Sequence, residues 1–457
     1  RTSRAKSLGG KRMENAKWIE RLNMIAYKIN DLKYIIAIKN AFSMLLPVII
    51  TGAFATLFSN MVFDSTNGLA QYEALRFLEQ MKPITQAINY ATMNLMTIGA
   101  VFLIGIEVAK LNKVSDHFAG LLAVISYIAT IPTAIEVLFE ETPVPVTNVL
   151  SSNYTGSRGL FLGMFIAILS VELYTWLSKQ DKLKITMPDT VPTNVSRGFS
   201  ALIPTILTVS LIAAGAHLIF MITGLTLYDI IYTTIQAPLA KVVQGLPGIL
   251  LLMFVSQIFW VIGIHGNQMI KPIREPILLA AIAENTAAFE AGKEAPNIIN
   301  MPFWDMYMSM GGSGVTIGLL IAVFLVSKRA DFKEIGKLSV GPGLFNINEP
   351  LIFGMPIMLN PIMAIPFILT PLVTGTIGYF ATAIGFAGKA VVMVPWTTPP
   401  LISGYLATAG SLGAVATQLI CIAVSVLIYL PFVKASNRAL AVETETETEA
   451  EMTAAVE

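Results

Sequence analysis

The sequence predicts an all-α polytopic membrane protein of about ten transmembrane helices with two re-entrant hairpins, and three observations lead there. Hydrophobic residues are 54% of the 457 and charged residues 13%, against a charged share of about 25% in soluble domains; the mean hydropathy is +0.68. Apolar windows long enough to cross a bilayer recur along the chain. Polar residues and prolines break that pattern in two places, WVIGIHGNQMIKPIREP at 260–276 and VGPGLFNINEPLIFGMPIMLNP at 340–361.

Windows of about 20 residues place candidate spans near 34–58, 88–109, 118–139, 159–177, 201–224, 247–264, 311–326, 361–386 and 404–433. Lys and Arg concentrate on cytoplasmic loops, which orients them. Arg21, Lys28 and Lys33 precede the first span, Lys110 and Lys113 follow the second, and Lys179, Lys182, Lys184 and Arg197 follow the fourth. The acidic stretches around Asp64, Glu73 and Glu79 and around Glu140 and Glu141 then lie outside. Span 247–264 runs inward, yet so does 311–326, which ends at Lys328, Arg329, Lys333 and Lys337. An outward crossing must lie between them. We place it near 275–290, short or broken and flanked by irregular polar backbone of the kind that forms transporter binding sites. Both termini are then cytoplasmic.

The second interruption puts Asn346, Asn348, Glu349 and Pro350 at membrane depth. An ionisable group there costs roughly 2.5–3.5 kcal/mol, and irregular backbone is tolerated only where protein or a water-filled cavity surrounds it. A re-entrant hairpin lining a polar site meets both conditions. The two interruptions share a Glu-Pro pair, Glu275-Pro276 and Glu349-Pro350, an echo that duplication or chance would equally produce.

Composition also excludes function classes. A net charge of +1 argues against nucleic acid. The single Cys421 sits in the apolar run LGAVATQLICIAVSVLIYLPF and allows neither an internal disulfide nor a cysteine metal site. No His/Asp/Glu group has metal-ligand spacing, and no cofactor motif is present. Arg1 to Lys33 lacks the apolar core of a signal peptide, and RTSRAKSLGGKR at 1–12 reads as a leader foreign to the fold.

GIHGNQMIKPI, the run SVGPGLFNINEPLIFGMPIMLNPIMAIPFILTPL, and PWTTPP at Pro395 to Pro400 together resemble the membrane-spanning IIC component of the lactose/cellobiose/diacetylchitobiose family of the bacterial phosphoenolpyruvate-dependent sugar phosphotransferase system. The resemblance runs from Ala26 to Arg438. It implies a homodimer in the bacterial inner (cytoplasmic) membrane. A basic cytoplasmic segment, 1–33, would precede an N-terminal dimerisation half, 34–240, and a C-terminal transport half, 241–438, with the hairpins and the sugar site. It also implies group translocation, in which a sugar is carried inward and phosphorylated at its 6-hydroxyl by a phosphocysteine on a IIB protein. Lactose-type members commonly carry IIB fused behind the membrane part, whereas this sequence ends in AVETETETEAEMTAAVE. That stretch, 439–457, has too little apolar surface to offset the entropy of ordering and is expected to be disordered. Cys421, within a span, is no phosphocysteine. A separate IIB is therefore expected, the chain being non-catalytic without it, and a β-linked disaccharide such as cellobiose or diacetylchitobiose is favoured over lactose.

A sugar site needs hydroxyl donors and acceptors, aromatic faces for pyranose rings, and exclusion of water. Glu349 offers a carboxylate that can orient or deprotonate a hydroxyl; its bland alternative is a cap on hairpin backbone. His265, between Ile264 and Gly266, can donate from one ring nitrogen and accept at the other; a lone histidine among apolar residues is otherwise structural, but Asn267 and Gln268 beside it favour a ligand role. Asn346 and Asn348 complete the expected polar lining. Trp260 and Trp396 are stacking platforms or, alternatively, core and interface residues. Trp176, Trp304, His117 and His217 read as packing or interfacial. GGSGVTIG at Gly311 to Gly318 lacks a Walker Lys-Ser/Thr and reads as a close-packing helix segment. Glu107 and Glu172, each one turn from a predicted cytoplasmic helix end, read as snorkelling or locally paired in preference to proton-coupling. Two other classes stay open: an ion-coupled secondary transporter, and a membrane-embedded enzyme using His265 and Glu349 on a lipid-linked substrate.

Overall fold

The computed structural model describes residues 32–66, 68–114, 116–139, 142–188, 191–355, 357 and 360–454. Arg21, Lys28, Glu140 and Glu141, used above for orientation, lie outside them. Two compact units emerge: 32–242 with Glu275–Ala287, and 243–274 with 288–454.

The first unit is helical apart from one two-stranded hairpin. Its longer helices are α1 (Lys33–Met61), α2 (Lys82–Met93), α3 (Met96–Asn112), α4 (Asp116–Ile128), α5 (Leu160–Ser178) and α6 (Thr193–Thr223), and shorter ones lie at Ser152–Thr155, Leu227–Ile231 and Ala237–Val243. Helix α3 packs against α1, α4 and α5, and both acids are paired, Glu107 with Lys110 on its own helix and Glu172 with Lys33 at the start of α1. Glu172 accepts from Lys33 and, at 3.3 Å, from the Asn112 amide. Glu107 accepts from Asn40 Nδ2 at 2.9 Å and Lys110 Nζ at 2.8 Å. The span expected over 118–139 is shorter than the sequence suggested. Helix α4 stops at Ile128, and β1 (Ala134–Phe139) then pairs antiparallel with β2 (Thr142–Thr147), Ala134 opposite Thr147. Pro132 cannot continue a helix, and AIEVLF is rich in β-branched and aromatic residues that suit a pleated strand.

The second unit contains α7 (Leu246–Val261), the two ends of α8 (Gly266–Glu290), α9 (Met301–Met308), α10 (Thr316–Val326), α11 (Ala330–Leu344), α12 (Glu349–Gly354), α13 (Pro361–Ala383), α14 (Ile402–Ala407) and α15 (Leu412–Ala454). Helix α15 packs on α10 and α13, and α13 also packs on α7. Leu319, Val323, Phe332, Leu351, Phe367 and Tyr429 form its core. Burying each such side chain contributes about 1.5–3 kcal/mol relative to leaving it in water, an upper bound where lipid is the alternative.

Two sequence expectations need correction here. Five helices are long and apolar enough to span a membrane, or up to seven if each bent pair counts as one span, among the described residues. The count of ten is not reached because α4 and α10 are short apolar helices and α8 carries Lys271, Arg274, Glu275, Glu284 and Glu290. The interruption expected through 260–276 is confined to the turn between α7 and α8; Pro272 and Pro276 sit inside a continuous helix. Each proline removes one backbone donor, a loss that a long helix among neighbours tolerates. Helix α15 is drawn without a break from Leu412 to Ala454. Its Glu and Ala are strong helix formers, and adding residues to an existing helix avoids the nucleation cost.

Candidate functional site

Two chain breaks and one glycine-rich loop in the second unit bring the polar residues together. After α7, Gly263 turns the chain with φ 92°, and Gly266 opens α8. A Cβ on Gly266 would overlap the Ser256 carbonyl, so only glycine permits this approach. The turn folds the His265 ring back onto Trp260, with centroids 4.2 Å apart and planes at 43°. Trp260 belongs to the core and is 3% exposed, its buried Nε1 lacking a hydrogen-bond partner.

The second break follows α11. Asn346 adopts φ 63°, a left-handed conformation that asparagine tolerates better than most residues. Asn348 precedes α12, and Glu349 is that helix's first residue. The break sets Glu349 Oε1 3.9 Å from His265 Nε2, with side chains 46% and 41% exposed. That is too long for a direct hydrogen bond, and a hydroxyl oxygen about 2.8 Å from each atom fits off the line joining them.

The loop between α9 and α10 ties both breaks in place. Asn267 accepts from Ser256 Oγ at 3.0 Å and donates to Ser313 Oγ at 2.9 Å. Asn348 Nδ2 donates to the Ser313 carbonyl at 2.7 Å and to Thr316 Oγ1 at 2.9 Å. Asn346 accepts from the Gly311 N–H at 2.7 Å and donates to the carbonyls of Trp396 and Thr398 at 2.7 and 3.0 Å. An amide nitrogen has two hydrogens, so both are committed to protein in Asn346 and in Asn348. Of the expected residues, His265 and Glu349 therefore face each other, Trp260 backs the histidine, and the three asparagines hold the scaffold. Gln268 is exposed in the first turn of α8, and the Trp396 side chain is exposed with its backbone bound to Asn346.

Sequence reading missed the importance of the GGSG loop. Gly311, Gly312 and Gly314 all have positive φ, and the Gly314 carbonyl accepts from Tyr429 Oη at 2.7 Å. Gln418 was missed too. Fully buried, it accepts from the N–H groups of Leu401 and Gly404 at 2.8 and 3.0 Å and donates to the Met306 carbonyl at 2.9 Å. The signal was an amide alone in an apolar span. Among the described residues no group of three or more His, Cys, Asp and Glu could hold a metal ion.

Comparison with known proteins adds the family. A profile described as "Phosphotransferase system, EIIC" matches residues 39–371. The oligo-beta-mannoside-specific EIIC component of Bacillus subtilis (strain 168) is 34% identical, covering 91% of this chain and 92% of that protein. The lichenan permease IIC component of the same organism is 35% identical, covering 90% and 91%. The cellobiose-specific EIIC component of Geobacillus stearothermophilus is 30% identical, covering 90% and 92%. The crystal structure of the transporter ChbC, the IIC component from the N,N'-diacetylchitobiose-specific phosphotransferase system, superposes with a TM-score of 0.87 at 32% identity, covering 93% of this chain and 98% of that one. This multi-pass membrane protein belongs to the EIIC permease family of the phosphotransferase system.

Proposed function

We propose that the protein carries a β-linked disaccharide, of the cellobiose or diacetylchitobiose type, into the cell for phosphorylation by a separate IIB protein. The observation that carries the reading is the 3.9 Å approach of His265 to Glu349. Two polar side chains from separate chain breaks, both partly open, offer one acceptor and one donor or acceptor to a single hydroxyl. In the proposed step the sugar 6-oxygen forms the new O–P bond, the S–P bond of the phosphocysteine breaks to leave a thiolate, and the hydroxyl proton passes to Glu349. Glu349 and His265 are the catalytic pair, Asn267 and Gln268 border the substrate, and Asn346 and Asn348 set the position of Glu349 through the glycine loop. Trp260 fixes the imidazole, and Trp396 offers an open indole face to a sugar ring.

The wider architecture follows the same reading. The breaks at 262–265 and 345–348 are the tips of two re-entrant hairpins, 34–240 is the dimerisation half of a homodimer, and 241–438 is the transport half. IIB docks on the cytoplasmic face, the side to which the Lys and Arg distribution assigns the basic loops and both termini. Relatives named for oligo-beta-mannoside, lichenan and cellobiose support the β-linked substrate class. Isothermal titration of the purified chain with cellobiose, diacetylchitobiose, lactose and glucose tests it. Saturable binding of a β-linked glucose or N-acetylglucosamine disaccharide is expected, and binding of glucose alone would refute the substrate class.

A further inference from the structure

The first unit holds a cleft of about 770 Å³ where α4, α5 and α6 meet, a volume within the usual range for ligand pockets. We infer that it binds an anionic phospholipid from the leaflet facing Lys179, Lys182 and Lys184. Its lining is divided in character. Phe118 and Leu202 form an apolar wall, and Lys184, Ser196 and Ser200 supply a cation and hydroxyls. Ser196 and Ser200 lie four residues apart on α6, hence on one helix face. Ser200 Oγ donates to the Ile185 carbonyl at 3.1 Å, which pins the segment bearing Lys184 against α6.

Charge and apolar surface both identify the occupant. Lys184 Nζ already holds an oxyanion, the Asp181 carboxylate at 2.7 Å, whose side chain is 93% exposed. So exposed an ion pair is worth little, and a phosphate can join or displace it. From the cleft, Leu202 and Ile206 continue outward along α6 at 44% and 54% exposure, and only 11% of this helix's apolar window is buried. A soluble anion would engage the lysine and leave the apolar wall uncovered, whereas a phospholipid occupies both ends. Basic pockets between spanning helices on the Lys-rich side are where anionic headgroups are held.

Gly198 provides a direct test, because it lines the cleft and a Cβ built on it meets nothing within 4 Å. A larger side chain there fills the cleft and leaves the helix packing intact. The full chain in neutral detergent is titrated with phosphatidylglycerol and phosphatidylcholine, and retained lipid is read by native mass spectrometry. Phosphatidylglycerol is expected to be retained at least about fivefold better, the weight of one lysine near a lipid phosphate. Lys184→Ala should remove that preference, Gly198→Phe should abolish retention, and Gly198→Ala should preserve it. Equal retention of the two lipids, no change in Lys184→Ala, or displacement by millimolar inorganic phosphate overturns the inference. If Gly198→Phe is not recovered folded, Lys184→Ala decides alone.

Discussion

Asn348 separates a positioning amide from a ligand-binding one. It is 4% exposed, and its Nδ2 donates to the Ser313 carbonyl and to Thr316 Oγ1. Thr316 donates its own hydroxyl proton to the Gly311 carbonyl at 2.6 Å, so its oxygen must accept from Asn348, which fixes the amide orientation. Asn348→Ala removes two donated bonds and strands a buried carbonyl, a loss of about 2–4 kcal/mol. Asn348→Asp keeps the shape but sets an oxygen 2.7 Å from the Ser313 carbonyl oxygen, adding roughly 1–3 kcal/mol for a buried polar group without its partner. The isosteric variant should therefore be the less stable of the two. Thermal unfolding in detergent gives the order, and disaccharide titration shows whether affinity falls with it. An Asp variant equal to or more stable than the Ala variant would refute the assignment of Nδ2 to Ser313.

Other outcomes follow from the same geometry. Glu349→Gln keeps the shape and loses the basicity; with IIB present, sugar phosphorylation should fall at least 100-fold, in line with the contribution of about 10²–10⁴ from a general base, while unfolding temperature stays near wild type. Unchanged phosphorylation would remove Glu349 from the reaction. Gly312 has φ 101° and a Cβ there would overlap the Asn348 side chain, so Gly312→Ala should lose about 1–3 kcal/mol, and less in an Asn348→Ala background; additive losses would show that the two do not touch. Cys421 is fully buried and should resist maleimide in the folded protein yet label rapidly in dodecyl sulfate, a result that rapid labelling of the native protein would contradict.

The polar break at Asn346 to Pro350 was legible because a carboxylate and two amides have no place in a spanning helix. Its function as a scaffold was not, since hydrogen-bond saturation of Asn346 and Asn348 depends on carbonyls 35 to 52 residues away in the chain. The GGSG loop looked like helix-packing sequence because glycine signals conformational freedom without saying what approaches it. The β1–β2 hairpin was absorbed into an apolar window, where alternating and continuous hydrophobicity overlap. The continuity of α8 was hidden by two prolines, which local reading treats as breaks. His265 and Glu349 stand on the two polar interruptions, whose spacing along the chain permits them to meet without requiring it, so their separation of 3.9 Å could be read only from the structure.

Proteoliposomes containing this chain and loaded with phosphorylated IIB, supplied outside with radiolabelled cellobiose or diacetylchitobiose, test the central claim most directly. The account predicts that label accumulates inside as the 6-phosphate, that omission of IIB leaves bound sugar and no phosphate ester, and that Glu349→Gln abolishes the product. Accumulation of free sugar that collapses with the proton gradient, or sugar phosphate formed without IIB, would contradict it.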